Sequence, residues 1–319
     1  MKLKIKDKDI SSIVGNITLN SAIDTLGDQL DFEITYSDMK FYPKFEVNVG
    51  DIVQLEDQGV VFIGIVVTKT RNENTQTFNC FDFAFYLNKS KTVKQFNGMR
   101  ADMAIKSLLE EFNVPVGKID TMPTVIKSIY FDQEVSEIIK DILEQVKKTT
   151  GKKYVMEMNK DKLDIYQDEN RIVDCKIQMA QNLPKVPVGQ TISGASKKAT
   201  IENMKNVIKL YIGNDEKMRI VADERNSNLV SRYGMLSETQ SFEGKDIVQA
   251  RNIARNMLKE LGRVAVESSI DVLGNFELKA GRVLQVNEPK TNLAGKFRIK
   301  SANHQIGDVH TTSLELEEI

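Results

Sequence analysis

Residues 45–55 read FEVNVGDIVQL and residues 276–286 read FELKAGRVLQV, so the chain writes nearly the same stretch twice, 231 positions apart. The copies share Phe45/Phe276, Glu46/Glu277, Gly50/Gly281 and Gln54/Gln285. The remaining apolar positions stay apolar: Val47/Leu278, Val49/Ala280, Ile52/Val283, Val53/Leu284 and Leu55/Val286. Apolar and polar residues alternate ahead of the glycine, which predicts a strand with one buried face. The glycine predicts a bend or bulge at the same point of both strands.

The flanks repeat the order of elements. TLGDQLDFEI echoes ELGRVAVESS, with Leu26-Gly27 matching Leu261-Gly262. GVVFIGIVV echoes AGKFRIKSA with Phe62 opposite Phe297, and NTQTFNCFDF echoes VHTTSLELEE. Unrelated antiparallel barrels also share alternation and glycine turns, but the recurring order favours duplication of one β unit.

A chain of 319 residues is near the size at which one core divides, which predicts two to four modules. Residues 1–90 carry β-branched and aromatic runs between Gly, Asp and Asn turns, the pattern of a small antiparallel barrel or sandwich. Near Gly98 the period changes. Ile105, Leu108, Leu109 and Phe112 share one helical face, and Pro115 and Gly117 close that helix. A second helix carries Val135, Ile138, Ile139, Ile142, Leu143 and Val146, with Asp132 as the expected N-cap and Gly151 as the stop. KKYVMEM-NKDK-LDIYQD then reads as a hairpin, and NLPKVPVGQ as a linker. IENMKNVIKLYIG and KMRIVADE return to strand character, residues 246–261 form one more helix ending at Gly262, and the rest is β. The expected fold class is α+β: two related antiparallel β-barrels with an inserted two-helix plus hairpin module. The expected units are 1–95, 96–183 and 184–319.

The order of this middle module, MRADMAIKSLLEEFNVPVGKID followed by SEIIKDILEQVKKTTGKKYVMEMNKDKLDIY, resembles that of the baseplate hub proteins of contractile phage tails. The resemblance is nearest to the XkdQ-type hubs of defective prophages and more distant to the late control protein D group. NMKNVIKLY, SRYGMLSE and the G-x-V-L-x-V strand extend it over nearly the whole chain. It implies tail-tube-like barrels and a homotrimer whose six barrels form a ring between the hexameric tail tube and the trimeric central spike. Tape-measure and other baseplate proteins are further implied partners, and the implied location is a virion or tail-like particle assembled in the host cytoplasm. An infectious phage and a phage-tail-like bacteriocin would use the same hub.

Little chemistry competes with a structural role. The 44 basic and 45 acidic residues nearly cancel, without the basic stripe that phosphate-driven DNA binding requires. Cys80 and Cys175 are too few for a disulfide framework or a four-ligand zinc site and are expected to be reduced and buried. No signal peptide and no membrane-length apolar run is expected. His304 and His310, six apart, would share a face if they lie on one strand, but no HExxH or third ligand accompanies them, and surface or turn positions are expected. TTGKKY lacks the remaining phosphate-loop residues, and TISGAS is not a nucleophile elbow. No catalytic, cofactor-binding or metal-ligating residue is therefore assigned, and no enzyme activity is expected. The alternative is a tail-tip peptidoglycan hydrolase or endopeptidase on the same fold, which usually adds a separate domain for which the β repeat leaves no room. A carbohydrate-binding module is disfavoured by the absence of Trp.

Overall fold

The computed structural model describes residues 1–35, 45–168, 171–179, 191–213, 217–242 and 247–319. The linker NLPKVPVGQ lies outside the described residues, as does the side chain of Cys175. The N-terminal part holds β1 (Lys2–Ile5), β2 (Lys8–Asp9), β3 (Val14–Ala22), β4 (Gln29–Thr35), β5 (Ile52–Glu56), β6 (Val60–Arg71) and β7 (Thr75–Asp82). Next come α1 (Ala84–Lys89), β8 (Lys91–Arg100), α2 (Ala101–Glu111), β9 (Val116–Ile119), β10 (Val125–Glu134), α3 (Val135–Thr150), β11 (Tyr154–Asn159) and β12 (Lys162–Gln167). The C-terminal part comprises β13 (Ile172–Met179), β14 (Thr191–Thr200), β15 (Val207–Gly213), β16 (Met218–Arg225), α4 (Ser227–Tyr233), β17 (Ser237–Ser241), α5 (Ile247–Leu261), β18 (Ala265–Leu273), β19 (Val283–Glu288), β20 (Leu293–Ile306) and β21 (His310–Glu318).

Thirteen strands form one curled sheet in the order β19-β13-β14-β18-β21-β20-β3-β4-β7-β6-β5-β1-β2, and β19 also pairs with β20. The C-terminal strands therefore close into a circuit, while the N-terminal strands stay open among the described residues. Most neighbours are antiparallel, but β13 runs parallel to both β14 and β19. The long β20 pairs with β21 along one edge, and shares the other between β19 and β3. That shared edge joins the two halves.

Five strands repeat in identical antiparallel order: β3-β4-β7-β6-β5 in the first half and β14-β18-β21-β20-β19 in the second. The irregularities match as well. β6 bulges against β7 between Val66 and Thr68, and β20 bulges against β21 between Ile299 and Ser301. The Gly50 amide donates to the Val66 carbonyl at 2.8 Å, and the Gly281 amide donates to the Ile299 carbonyl at 2.8 Å. The Asp51 and Arg282 amides close i-to-i+3 turns onto Asn48 and Lys279. Gly50 and Gly281 have φ of 88° and 85° at the third turn position, where a type II turn requires positive φ.

These details sharpen the repeat and correct parts of it. Residues 45–50 and 276–281 are not strands; each is an irregular segment that turns at the glycine and only then enters β5 or β19. The registers place Phe62 opposite Leu55 and Gly295 opposite Val286, so Phe62 corresponds to Gly295 rather than to Phe297. Phe32 opposes Phe78 as Ile270 opposes Leu314, three residues away from the alignment through Leu26-Gly27 and Leu261-Gly262. Bulges and hairpin loops of different length break an ungapped alignment in both places.

Four clusters of buried apolar residues support the sheet. One lies under the N-terminal strands around Phe78, Leu19 and Leu55, and another inside the C-terminal circuit around Leu284, Phe297 and Leu316. A third joins Ile105, Leu108 and Leu109 of α2 to Ile138, Ile139 and Ile142 of α3, the faces that the sequence period marks. A small fourth cluster lies between β15, β16 and α5. Gly151 stops α3 in the left-handed conformation expected. Asp132 is not the N-cap: that position is Glu134, while Asp132 stands in β10 with positive φ. FAFYL is not strand either. Asp82 accepts the Ala84 amide at 3.0 Å, and the chain turns into α1 with Ala84 and Leu87 buried.

The paired glycines give a direct comparison. A Cβ on Gly50 meets nothing within 4 Å, whereas one on Gly281 meets Val155 Cγ1 at 2.2 Å. Gly50→Ala should cost only the positive-φ penalty, about 1–2 kcal/mol. Gly281→Ala should cost about 1–3 kcal/mol more through overpacking. Urea denaturation of the two variants measures the difference.

Candidate functional site: a polar sheet face and the turn that braces it

One face of the large sheet packs on the two β cores, and strand alternation sends the other residues to the opposite face. Cross-strand registers trace a row across that face through Gln29, Asn20, Asn303, Ser313, Asp271 and Gly194, on β4, β3, β20, β21, β18 and β14. A neighbouring row passes through Ala22, Ser301, Glu315, Ser269 and Ser196. Small polar and acidic side chains dominate, and they bond to one another rather than to a covering layer. Ser313 Oγ donates to Asp271 at 2.6 Å, Asn79 to Asp31 at 2.8 Å, and the Ser196 and Ser269 hydroxyls lie 2.8 Å apart. These polar rows span β4, β3, β20, β21, β18 and β14, and beyond Gln29 the first row continues through the apolar Phe81, Ile65 and Ile52 on β7, β6 and β5.

The second copy of the repeated turn, Lys279–Arg282, braces this sheet from behind. Lys279 Nζ pairs with Asp28 at 2.8 Å and donates to the Met158 carbonyl at 3.3 Å. The Ala280 amide donates to Ser21 Oγ at 3.0 Å. Arg282 grips both oxygens of Glu157, at 2.7 and 3.3 Å, and Tyr166 Oη and Arg171 complete the bonding of that carboxylate. Four residues thus tie β3, the entry to β4, and the β11–β12 hairpin to the C-terminal circuit. Nearby, Arg298 joins Asp168 to Glu317.

Burial alone would raise the Glu157 pKa, but the Arg282 hydrogen bonds and charge outweigh it and hold the carboxyl below its ordinary value. Burial would lower Lys279, yet the Asp28 and Glu157 carboxylates hold it above its ordinary value. Burial, and then the adjacent Asp28, push Asp82 up to about 8. Both Asp82 oxygens accept backbone amides, from Asp28 at 2.6 Å and Ala84 at 3.0 Å, which fixes the chain beside the brace. Sequence reading missed this cluster because its charges are scattered over residues 28–298 and look like ordinary surface charge. The signal within the repeat was that Asn48 and Asp51 are replaced by Lys279 and Arg282.

His304 and His310 are neither on one strand nor both at the surface. They sit on the adjacent strands β20 and β21, their rings meet at 3.0 Å, and His304 is buried. His304 Nε2 contacts the Leu278 carbonyl and Nδ1 also contacts Thr312 Oγ1, while Phe276 stacks on His304 and lies tilted against His310. Burial, then the His310 charge, depress the His304 pKa to about 3. Among the described residues no group of three or more His, Cys, Asp and Glu is arranged to hold a metal. Cys80 is buried and its thiol is raised by burial. No helix among the described residues is long and apolar enough to cross a membrane.

The brace predicts an acid-sensitive fold. Glu157 ionises below the ordinary glutamate range, so its stabilisation is present above that range and is lost as pH falls through the folded-state pKa. Glu157→Gln leaves buried Arg282 with only the exposed Glu277 as an ionised partner and should cost up to about 3–5 kcal/mol at neutral pH. Its stability should also fall less steeply than the parent's on acidification, as measured by urea titrations over the acid range.

The comparisons with known proteins agree with this architecture. Over 284 residues the chain is 28% identical to the uncharacterized protein YqbQ of Bacillus subtilis strain 168, covering 86% of this chain and 83% of that one. Over 283 residues it is 25% identical to the phage-like element PBSX protein XkdQ of the same organism, with the same coverages. In structure it resembles the tail protein from Neisseria meningitidis MC58, with a TM-score of 0.75, 13% identity and coverage of 99% of this chain and 95% of that one. It also resembles the Escherichia coli c3393 protein, a type VI secretion component described as similar to the T4 tail proteins gp27 and gp5. There the TM-score is 0.58, identity 10%, and coverage 99% of this chain and 76% of that one. The fold is thus one shared with phage tail proteins. The family model matches residues 17–317, and the chain belongs to the YQBQ-like family.

Proposed function

We propose that this protein is a structural tail component, specifically the baseplate hub of a contractile tail or tail-like particle. Three copies form a ring that joins a hexameric tail tube above to a trimeric central spike below. The observation that carries the reading is the repeated five-strand unit within one chain. Two related β units per subunit give a trimer six similar positions, and a head-to-tail interface whose rotation closes produces a ring. Such a ring meets a sixfold partner with its repeated units and a threefold partner with its whole subunits. The polar rows from β4 to β14 support the same reading, because Ser, Asn, Gln and carboxylate side chains suit the water-filled lumen of a tube. The role is geometric and non-enzymatic.

Membership of the YQBQ-like family and similarity to the PBSX protein XkdQ support assignment to a tail particle. Similarity to c3393, itself likened to gp27 and gp5, supports the hub position and the spike as partner. The hydrolase reading has no observation in its favour: the histidine pair is packed under Phe276 rather than open to a substrate.

Size-exclusion chromatography with light scattering should give a trimer, alone or once the spike protein from the same particle is added. A monomer unaffected by tube and spike proteins at any concentration would contradict the hub reading. Peptidoglycan-degradation assays should remain blank, and turnover abolished by His310→Ala would restore the enzymatic one.

A further inference from the structure

The two halves are joined through one strand edge, and in each half the counterpart of that edge has no strand partner among the described residues. In the internal joint, residues 301–306 of β20 pair antiparallel with residues 17–22 of β3, with Ser301 opposite Ala22 and Asn303 opposite Asn20. The matched bulges make Thr68 of β6 the counterpart of Ser301, and Thr70 that of Asn303. The pairing of β3 with β4 and of β14 with β18 makes Asn20 the counterpart of Lys198, and Ala22 that of Thr200. β6 pairs with β7 on one side, while β5 covers the other side only as far as Ile65. β14 pairs with β18 along its length, while β13 covers its other side only at Thr191 and Ile192. Beyond those points both edges lack a strand partner among the described residues, and Thr68, Thr70 and residues 196–199 are exposed. At the internal joint, Leu19, Ser21, Ala302 and His304 are buried.

The repeated turn adds a second observation. Beside the internal joint, Lys279–Arg282 is covered, and Ala280 rests on Ser21. Its counterpart, Asn48–Asp51, lies beside the bare β6 edge with Val49 62% and Ile52 54% exposed. By the same correspondence Val49 takes the place of Ala280, and Ala199 that of Ser21. An apolar pair therefore stands where the internal joint uses an amide and a hydroxyl. Two bare edges of complementary position on one molecule form a heterologous, head-to-tail contact, whose occupant is a second copy of the chain.

We propose that β6 of one copy pairs antiparallel with β14 of the next, with Thr70 opposite Lys198, Thr68 opposite Thr200, and Val49 seated on Ala199. This rests on the ring reading and gives it an interface. The external joint continues the polar face from one subunit to the next, so every junction in the ring is a β pairing of the same kind. Lys197 and Lys198 on the bare edge discourage indiscriminate pairing of free monomers, as charged side chains do on exposed edges.

Thr70→Cys combined with Lys198→Cys tests the register, because directly opposed strand positions have the Cα spacing that a disulfide needs. Mild oxidation of the full-length double variant should yield covalent dimers and a covalent trimer on non-reducing gels. Thr70→Cys combined with Glu202→Cys, off register, should not. Val49→Asp, exposed in the monomer, should keep the parent's thermal transition as a monomer yet lose most of the trimer. A light-scattering trimer without the on-register cross-link overturns the joint and leaves the ring reading intact. A chain that is monomeric under every condition, spike protein included, overturns both.

Discussion

The turn from Lys279 to Arg282 is the point on which the rest of the molecule depends. It inserts two cations and a glycine among β3, β4 and the β11–β12 hairpin, and each finds a fitted partner: Asp28 for Lys279, Glu157 for Arg282, Val155 against Gly281. A buried charge is costly when unpaired, so this arrangement tolerates few alternatives and fixes how the helical module sits against the sheet. Gly281 permits the turn, and a β-carbon there would push the hairpin away. The same turn at Asn48–Asp51 has no such load and remains at the surface. The repeated strand order with this asymmetry gives one chain an occupied joint and, among the described residues, an uncovered counterpart.

Continuity of the sheet follows from that brace. Because β20 is long enough to serve β19 with one half and β3 with the other, the two units share hydrogen bonds rather than only side-chain contacts. A rigid connection of this kind sets the angle between the units, and in a ring that angle decides whether the structure closes. The polar face is the other consequence. With both β cores on one side of the sheet, the opposite side from β4 to β14 is left to Ser, Asn, Gln and carboxylates, while Phe81, Ile65 and Ile52 continue it over β7, β6 and β5. In the hub reading this surface lines the passage and the joints hold its diameter.

Much of this was legible in the chain. The helical period of Ile105–Phe112 and Val135–Val146 marked the faces that form the third core, and Gly151 stops its helix in the left-handed conformation that only glycine adopts readily. The repeat FEVNVGDIVQL/FELKAGRVLQV marked the one turn with matching φ and hydrogen bonds. What escaped was whatever depends on neighbours remote in sequence. Residues 45–50 alternate like a strand but are held as an irregular segment by their turn. FAFYL reads as strand by composition, yet Asp82 accepts the Ala84 amide and the chain turns into α1 there. Short α4 was marked only by Asn226, which accepts the Leu229 amide at 3.2 Å, and by Gly234 beyond its end. The parallel placement of β13 leaves no local trace, nor do the pairings of Lys279 with Asp28, Arg282 with Glu157 and Arg298 with Asp168, whose carboxylates lie over a hundred positions away.

The central claim is that one chain supplies two equivalent positions in a ring. Electron microscopy of the assembled protein, averaged end-on without imposed symmetry, tests it most directly. The account predicts strong rotational correlation at 120° and weaker, clear correlation at 60°, around an open channel lined by the polar face. Threefold density with no 60° component, or a closed particle of twofold symmetry, would contradict it.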